Sequence, residues 1–117
     1  IVAIWLIIST GIDAIQYSGI NIAGLDFVGV NYSLCTPRRD TAQLFASQGH
    51  NVFRIPFKWE KLQPCLRCDL DVNFLSLLDR AVKNVLSTGS IALIDCHNYF
   101  RYNDTLLSSI DPGPYTN

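Results

Sequence analysis

Between residues 71 and 86 the apolar residues recur with the period of a helix, and this segment is framed by two short apolar runs. No other feature constrains the fold as much. Phe74, Leu75, Leu78, Ala81, Val82, Val85 and Leu86 follow one another at spacings of three and four, which lays one apolar stripe along a helix. Asp71 supplies a side-chain oxygen for the N-cap, and Gly89 suits the left-handed conformation just past the C-terminal end. The preceding run, 51–55 (NVFRI), is bounded by Gly49-His50 and Pro56. The following run, 91–95 (IALID), comes after Gly89-Ser90. Both read as strands, the second covered on both faces. Upstream, 19–23 (GINIA) reads as a first strand closed by Gly24, and 41–48 (TAQLFASQ) as a helix stopped by Gly49. The stretch from Pro56 to Asp71 reads as loop.

Strand, helix, strand, helix, strand is the order of parallel crossover units. An open doubly wound sheet carries a Gly-rich phosphate turn after its first strand, but Gly24-Leu-Asp-Phe-Val-Gly29 lacks that spacing. A barrel gathers its function at the C-terminal ends of its strands. There stand Asp26 and Phe27, then residues 56–60, then residues 97–102. The sequence therefore predicts an α/β fold, an incomplete (β/α)8 TIM barrel with about its first three strands and two helices. At 117 residues the chain is too short for a whole barrel of that kind.

A net charge of −1 gives no basic field, so no nucleic-acid partner is expected. Residues 1–8 (IVAIWLII) are uncharged and apolar, but a membrane span needs roughly 20 such residues, so no membrane partner is expected either. The chain contains no Met. Its N-terminus reads as processed or missing, with 1–16 the remnant of a secretory signal that has lost its charged part, and 17–117 the barrel segment. A buried strand is the plainer alternative for the first block. Secretion into the extracellular space suits four cysteines, Cys35, Cys65, Cys68 and Cys96, which allow three pairings that sequence cannot separate. Cys65-x-x-Cys68 is half of a zinc ribbon without its second pair. It follows Pro64 in a loop, where a thioredoxin-like motif would open a helix after a strand. Asn31-Tyr-Ser33 and Asn103-Asp-Thr105 are glycosylation sequons, of meaning only in a secreted chain.

Arg54 sits inside the second strand, where a permanently charged guanidinium needs anionic partners or several acceptors. It can hold a catalytic carboxylate ionised, or simply close a structural ion pair. His97, just past the third strand, can hydrogen-bond a hydroxyl or a carboxylate; a lone His is more often a structural group. Trp59, Tyr99 and Tyr102 are loop rings suited to stacking on sugars, or to packing against the barrel top. Asp95 reads as a buried acceptor rather than a catalytic acid. Hydrolysis of a glycoside takes two carboxylates about 5–5.5 Å apart for retention or roughly 6.5–9.5 Å for inversion. Here Glu60 is the one Glu among nine Asp, and no setting marks an acid or a nucleophile. No Ser-His-Asp set, phosphate loop or metal-ligand cluster stands in their place, so no cofactor and no metal are called for.

Together these segments resemble the N-terminal portion of secreted endo-1,4-β-glucanases of glycoside hydrolase family 5. The resemblance rests on Gly19-Ile-Asn-Ile-Ala-Gly24, on Asn51-Val-Phe-Arg-Ile-Pro56 with Trp59-Glu60 and Leu62-Gln63-Pro64, and on Leu70-Asp71. It continues through Ile94-Asp95-Cys96-His97-Asn98-Tyr99 with Arg101-Tyr102, and closes on Gly113-Pro114-Tyr115-Thr116-Asn117. It implies a retaining hydrolase acting on cellulose or a related β-glucan, monomeric at full length, without metal. By the same resemblance Arg54 supports the nucleophile, His97 lines the subsite where the bond is cut, and Asn98 and Tyr99 lie beside it. The acid/base and nucleophile Glu would fall after Asn117, so no catalytic residue is expected within the chain, which would be inactive alone. Cys96 stands where the family has an apolar residue or Pro, and Phe100 where it has a small one, which alters the expected cleft floor. A non-catalytic carbohydrate-binding or decayed barrel, a β-mannanase and a β-1,3-glucanase are the alternatives.

Overall fold

The computed structural model describes residues 16–27, 31 and 36–110. The expected signal remnant falls outside the described residues except for Gln16, and so do Cys35 and the closing stretch 113–117. The described chain runs β1 (Gly19–Asn21), α1 (Arg39–Ser47), β2 (Val52–Phe57), α2 (Trp59–Leu62), α3 (Val72–Leu86) and β3 (Ile91–Cys96). A small hairpin follows, β4 (Arg101–Tyr102) and β5 (Thr105–Leu106), leading into a 3-10 turn at Leu107–Ser109. β1, β2 and β3 form one parallel sheet in that order. Arg54 stands opposite Asn21 on one side and Leu93 on the other, while Asp95 stands opposite Pro56.

Alternation along β2 divides the sheet into two faces. Phe53 and Ile55 are fully buried, and with Phe57 and Leu25 they pack against Ala42 of α1 and Phe74, Leu78, Ala81 and Val85 of α3. Burying two such side chains contributes roughly 1.5–3 kcal/mol each. Val52, Arg54 and Pro56 point to the opposite face. Pro56 interrupts nothing, although proline lacks an N–H for the ladder. The backbone groups of even-numbered β2 residues face β1, where the Arg54 carbonyl accepts from Ile22 N–H (2.9 Å). At Pro56 β1 has already ended, and contact with that side resumes only through a bridge between Leu25 and Phe57.

The helix ends follow their sequence signals. Asp71 accepts a hydrogen bond from Phe74 N–H (2.7 Å) and caps α3. Such a cap is worth about 1 kcal/mol. Gly49 (φ 94°) and Gly89 (φ 79°) take the left-handed conformation after α1 and α3. The stripe on α3 is narrower than its period suggests. Phe74, Leu78, Ala81 and Val85 are buried, whereas Leu75 and Leu86 remain exposed.

Two expectations need correction. The stretch between the second strand and Asp71 is not all loop, because Trp59–Leu62 closes one helical turn. β3 is not covered on both faces: Ile91, Leu93 and Ile94 are about half exposed, at 48%, 52% and 51%. Among the described residues β3 has β2 as its only strand partner.

Two outcomes follow from this layout. In the full-length protein Phe53→Ala lowers unfolding stability by about 3–5 kcal/mol, while Leu44→Ala, on the exposed side of α1, stays within about 0.5 kcal/mol. Urea unfolding followed by circular dichroism measures both, and equal shifts would refute the assigned core. Expressed alone, residues 17–117 self-associate with rising concentration through the open β3 edge and its exposed apolar side chains. Sedimentation velocity tests this; a soluble monomer with a cooperative thermal transition would contradict it.

Candidate functional site

The carboxyl ends of the three strands meet around the Arg54 guanidinium. Its Nη1 donates to Asn21 Oδ1 of β1 (2.6 Å), and its Nη2 donates to Asp95 Oδ2 of β3 in an ion pair. The same Nη2 lies 3.0 Å from His97 Nδ1. Register explains the convergence, since Asn21 is directly opposite Arg54, and Asp95 lies two residues beyond its other partner, hence on the same face. Arg54 and Asp95 are each about one-third exposed at the side chain (32%). Screening by solvent is therefore incomplete, and the pair is stronger than a surface contact.

His97 extends the network outward. Nδ1 is 3.1 Å from Asp95 Oδ2, and Nε2 is 2.6 Å from the Tyr99 hydroxyl. The tautomer decides which partner is served. A proton on Nδ1 is donated to Asp95, and Nε2 then accepts from Tyr99; a proton on Nε2 is donated to Tyr99, and Nδ1 then accepts from Arg54. The Tyr99 ring stands edge-on to His97 with centroids 4.4 Å apart, and Lys58 Nζ lies 5.5 Å from its centre. Tyr99 itself is 70% exposed.

Beside this network opens a cleft of about 440 Å³ lined by Trp59, Cys96, His97, Asn98, Tyr99, Phe100 and Leu107. Of the residues singled out from sequence at the third strand end, His97, Asn98 and Tyr99 thus share the cleft with Trp59 from the second, while the Arg101 side chain turns to the Asp104 carbonyl. Cys96 and Phe100, the two departures from the family pattern, both line the cleft. Trp59 opens α2 rather than sitting in a loop, and its indole N–H donates to Gln63 Oε1 (2.9 Å). Tyr102 does not line the cleft. It is buried, packs edge-to-face with Trp59, and donates its hydroxyl to the Gln63 carbonyl (2.7 Å). Burial pushes its phenol up from the ordinary value, with the Glu60 charge adding to the effect.

Asp26 accepts from Gly24 N–H (2.8 Å), a local turn contact. Cys65 and Cys68 are joined in a disulfide, and the Cys68 carbonyl accepts from Gln63 Nε2 (2.8 Å). Cys96 carries a free thiol. Among the described residues no group of three or more His, Cys, Asp or Glu side chains gathers as a metal site. Sequence reasoning missed three participants: Asn21, Gln63, and Glu60 as partner of Asn98 (2.5 Å). It also missed the β4–β5 hairpin, although Asn103-Asp104 between two short strands was a usable turn signal, and both residues have positive φ (46° and 63°).

A parallel sheet backed by helices, with charged and aromatic groups gathered at the strand ends, is the arrangement of a partial (β/α)8 barrel. Residues 11–115 match the family model for cellulase (glycosyl hydrolase family 5), and the chain belongs to that family. It is 36% identical over 104 residues to the manganese dependent endoglucanase Eg5A of Phanerodontia chrysosporium, a match covering 83% of this chain and 27% of that protein. With endo-beta-1,4-glucanase B of Aspergillus niger the identity is 38% over 92 residues, covering 78% and 27%. An endo-beta-1,4-glucanase of Xanthomonas axonopodis pv. citri carrying a triple mutation superposes with a TM-score of 0.75 at 27% identity, over 82% of this chain and 32% of that one. The endoglucanase Cel5A of Pseudomonas stutzeri in complex with cellobiose gives 0.70 at 28% identity, over 78% and 30%. The chain therefore spans about a quarter to a third of the length of these relatives.

Burial pushes the Cys96 thiol up from its ordinary value; Asp95 and Glu60 add to the shift, and Lys58 opposes it. Because the thiolate is the nucleophile, alkylation of Cys96 by iodoacetamide should reach half its limiting rate at a higher pH in the folded protein than in urea. Peptide mass spectrometry across pH measures this, and an equal or lower midpoint would contradict the assigned surroundings.

Proposed function

We propose that this chain is the substrate-facing opening section of a secreted endo-1,4-β-glucanase that cuts internal β-glycosidic bonds with retention of configuration. The observation that carries this is the Arg54–Asp95–His97–Tyr99 network at the carboxyl ends of parallel strands, opening onto an aromatic-lined cleft. Membership of the cellulase family and relatives named as endoglucanases support the same reading. Aromatic faces take the apolar faces of pyranose rings, while Arg54, His97 and the Tyr99 hydroxyl supply the charge and hydrogen bonds that orient hydroxyls.

In this reading residues outside 17–117 contribute two carboxylates. One protonates the leaving oxygen; the other attacks the anomeric carbon and is released by water. Arg54 keeps the nucleophilic carboxylate ionised and aimed, and its fork is already held in place by Asn21 and Asp95. His97 lines the point of cleavage, and the cleft residues do no covalent chemistry. The section alone would be inactive.

The test uses the full-length protein. Reducing ends should appear from a soluble β-1,4-glucan faster than from β-mannan or β-1,3-glucan. Proton NMR of the first products should show the β anomer. Arg54→Lys, which keeps the charge but loses the planar fork, should lower kcat roughly tenfold or more with little change in KM. Absence of hydrolysis, preference for another polymer, or an α first product would each overturn the proposal.

A further inference from the structure

Asn98 is buried (7% exposed), and each of its amide's hydrogen-bonding capacities has a partner. Its Oδ1 accepts from Trp59 N–H (2.6 Å) and faces the Cys96 thiol at 3.8 Å. Its Nδ2 donates to Glu60 Oε2 (2.5 Å) and to the Arg101 carbonyl (3.0 Å). A backbone N–H, a carboxylate and a carbonyl admit only one orientation of the amide, so nothing isosteric replaces it.

These partners connect three pieces of the cleft. Trp59 opens α2, Glu60 is in the same turn, and Arg101 begins β4. The backbone repeats the connection: the Asn98 carbonyl accepts from Arg101 N–H (2.7 Å), closing a four-residue turn. Its middle residues, Tyr99 (φ 49°) and Phe100 (φ 57°), both take the left-handed conformation that disfavours side chains larger than Gly. Core burial does not offset that strain, because Tyr99 and Phe100 are 70% and 83% exposed. The turn holds two rings at the cleft, and the Asn98 side chain holds the turn.

We propose that Asn98 and Glu60 form a positioning pair that sets Trp59 and the Tyr99–Phe100 turn, two walls of the cleft, in place for a bound glucan chain. The glucan rests on the endoglucanase reading; the pair itself does not. Glu60, the single Glu of the chain, thereby receives a role other than acid, base or nucleophile. The charged and titratable groups around the amide are Lys58 and Glu60 at α2, Cys96 and His97 at the end of β3, and Arg101 and Tyr102 in β4. Among the described residues Glu60 is the one whose carboxylate touches it.

The experiment compares full-length wild type with Asn98→Asp, Glu60→Gln and Glu60→Leu. One readout is hydrogen exchange at the Trp59 amide, which needs no activity; the other is kcat/KM on soluble β-1,4-glucan across pH. Asn98→Asp removes both donors and sets two carboxylates in contact, so one of them retains its proton above the ordinary carboxylate range. Its kcat/KM should fall roughly tenfold to a hundredfold relative to wild type at neutral pH. The ratio should recover as pH drops and a shared proton restores the contact. Glu60→Gln keeps an acceptor and should stay near wild type. Glu60→Leu should show the loss without the recovery, and exchange at Trp59 should quicken in it and in Asn98→Asp. If Asn98→Asp does not fold, Glu60→Leu and its rescue by Gln carry the test. A pH-independent deficit in folded Asn98→Asp, or unchanged Trp59 exchange in Glu60→Leu, would overturn the pair. Wild type that fails to hydrolyse glucan while Glu60→Leu loosens Trp59 would sink the endoglucanase reading and leave the pair standing.

Discussion

The guanidinium of Arg54 touches all three strands at once, and the upper face of the sheet is organised around it. Backbone ladders hold β1, β2 and β3 side by side, but they do not determine which side chains meet at the ends. A permanent charge on the middle strand does. It must find acceptors, and the register offers Asn21 on one neighbour and Asp95 on the other. His97 then lies beside both members of the ion pair, with Nδ1 within reach of each. Exposure of about one-third keeps this network in reach of a ligand while limiting solvent screening.

The two faces of β2 divide the labour. Phe53 and Ile55 anchor the sheet to α1 and α3, so the backbone beneath Arg54 is held by buried apolar area. β1 ends before it reaches Pro56, so the missing N–H costs no ladder bond, and β2 runs on through Phe57 before the chain turns into α2. That turn brings Trp59 and Glu60 to the third strand's end. The site is therefore assembled by a core in which none of its own side chains takes part.

Much of this was legible in the sequence because its signals were local. The period of 74–86, the caps Asp71, Gly49 and Gly89, and the apolar runs around residues 53 and 93 place the sheet and its two main helices to within a few residues. Arg54 and His97 stood out as charged or titratable groups at strand positions. What escaped depends on long-range pairing or on very short elements. Glu60 and Asn98 are 38 residues apart, and no pattern in either segment announces their contact. α2 has four residues and the hairpin strands two each, below any periodicity. Tyr102 looked like Tyr99 in sequence, but one is buried against Trp59 and the other stands in solvent. The apolar run of β3 suggested cover on both sides, and its composition could not reveal which residues would supply it.

The tight turn at 98–101 and the β4–β5 hairpin close on themselves. Asn98 and Arg101 seal the first, and Arg101–Tyr102 pairs with Thr105–Leu106 in the second. No ladder bond of the parallel sheet runs through residues 99–106. Side chains tie that segment to the rest instead: the Tyr99 hydroxyl meets His97, and the buried Tyr102 packs on Trp59 and donates to the Gln63 carbonyl. The length of the loop between those two tyrosines is therefore free of the sheet's register, while the positions of Tyr99 and Tyr102 are not. The large Phe100 at its apex shows where such variation would be felt first.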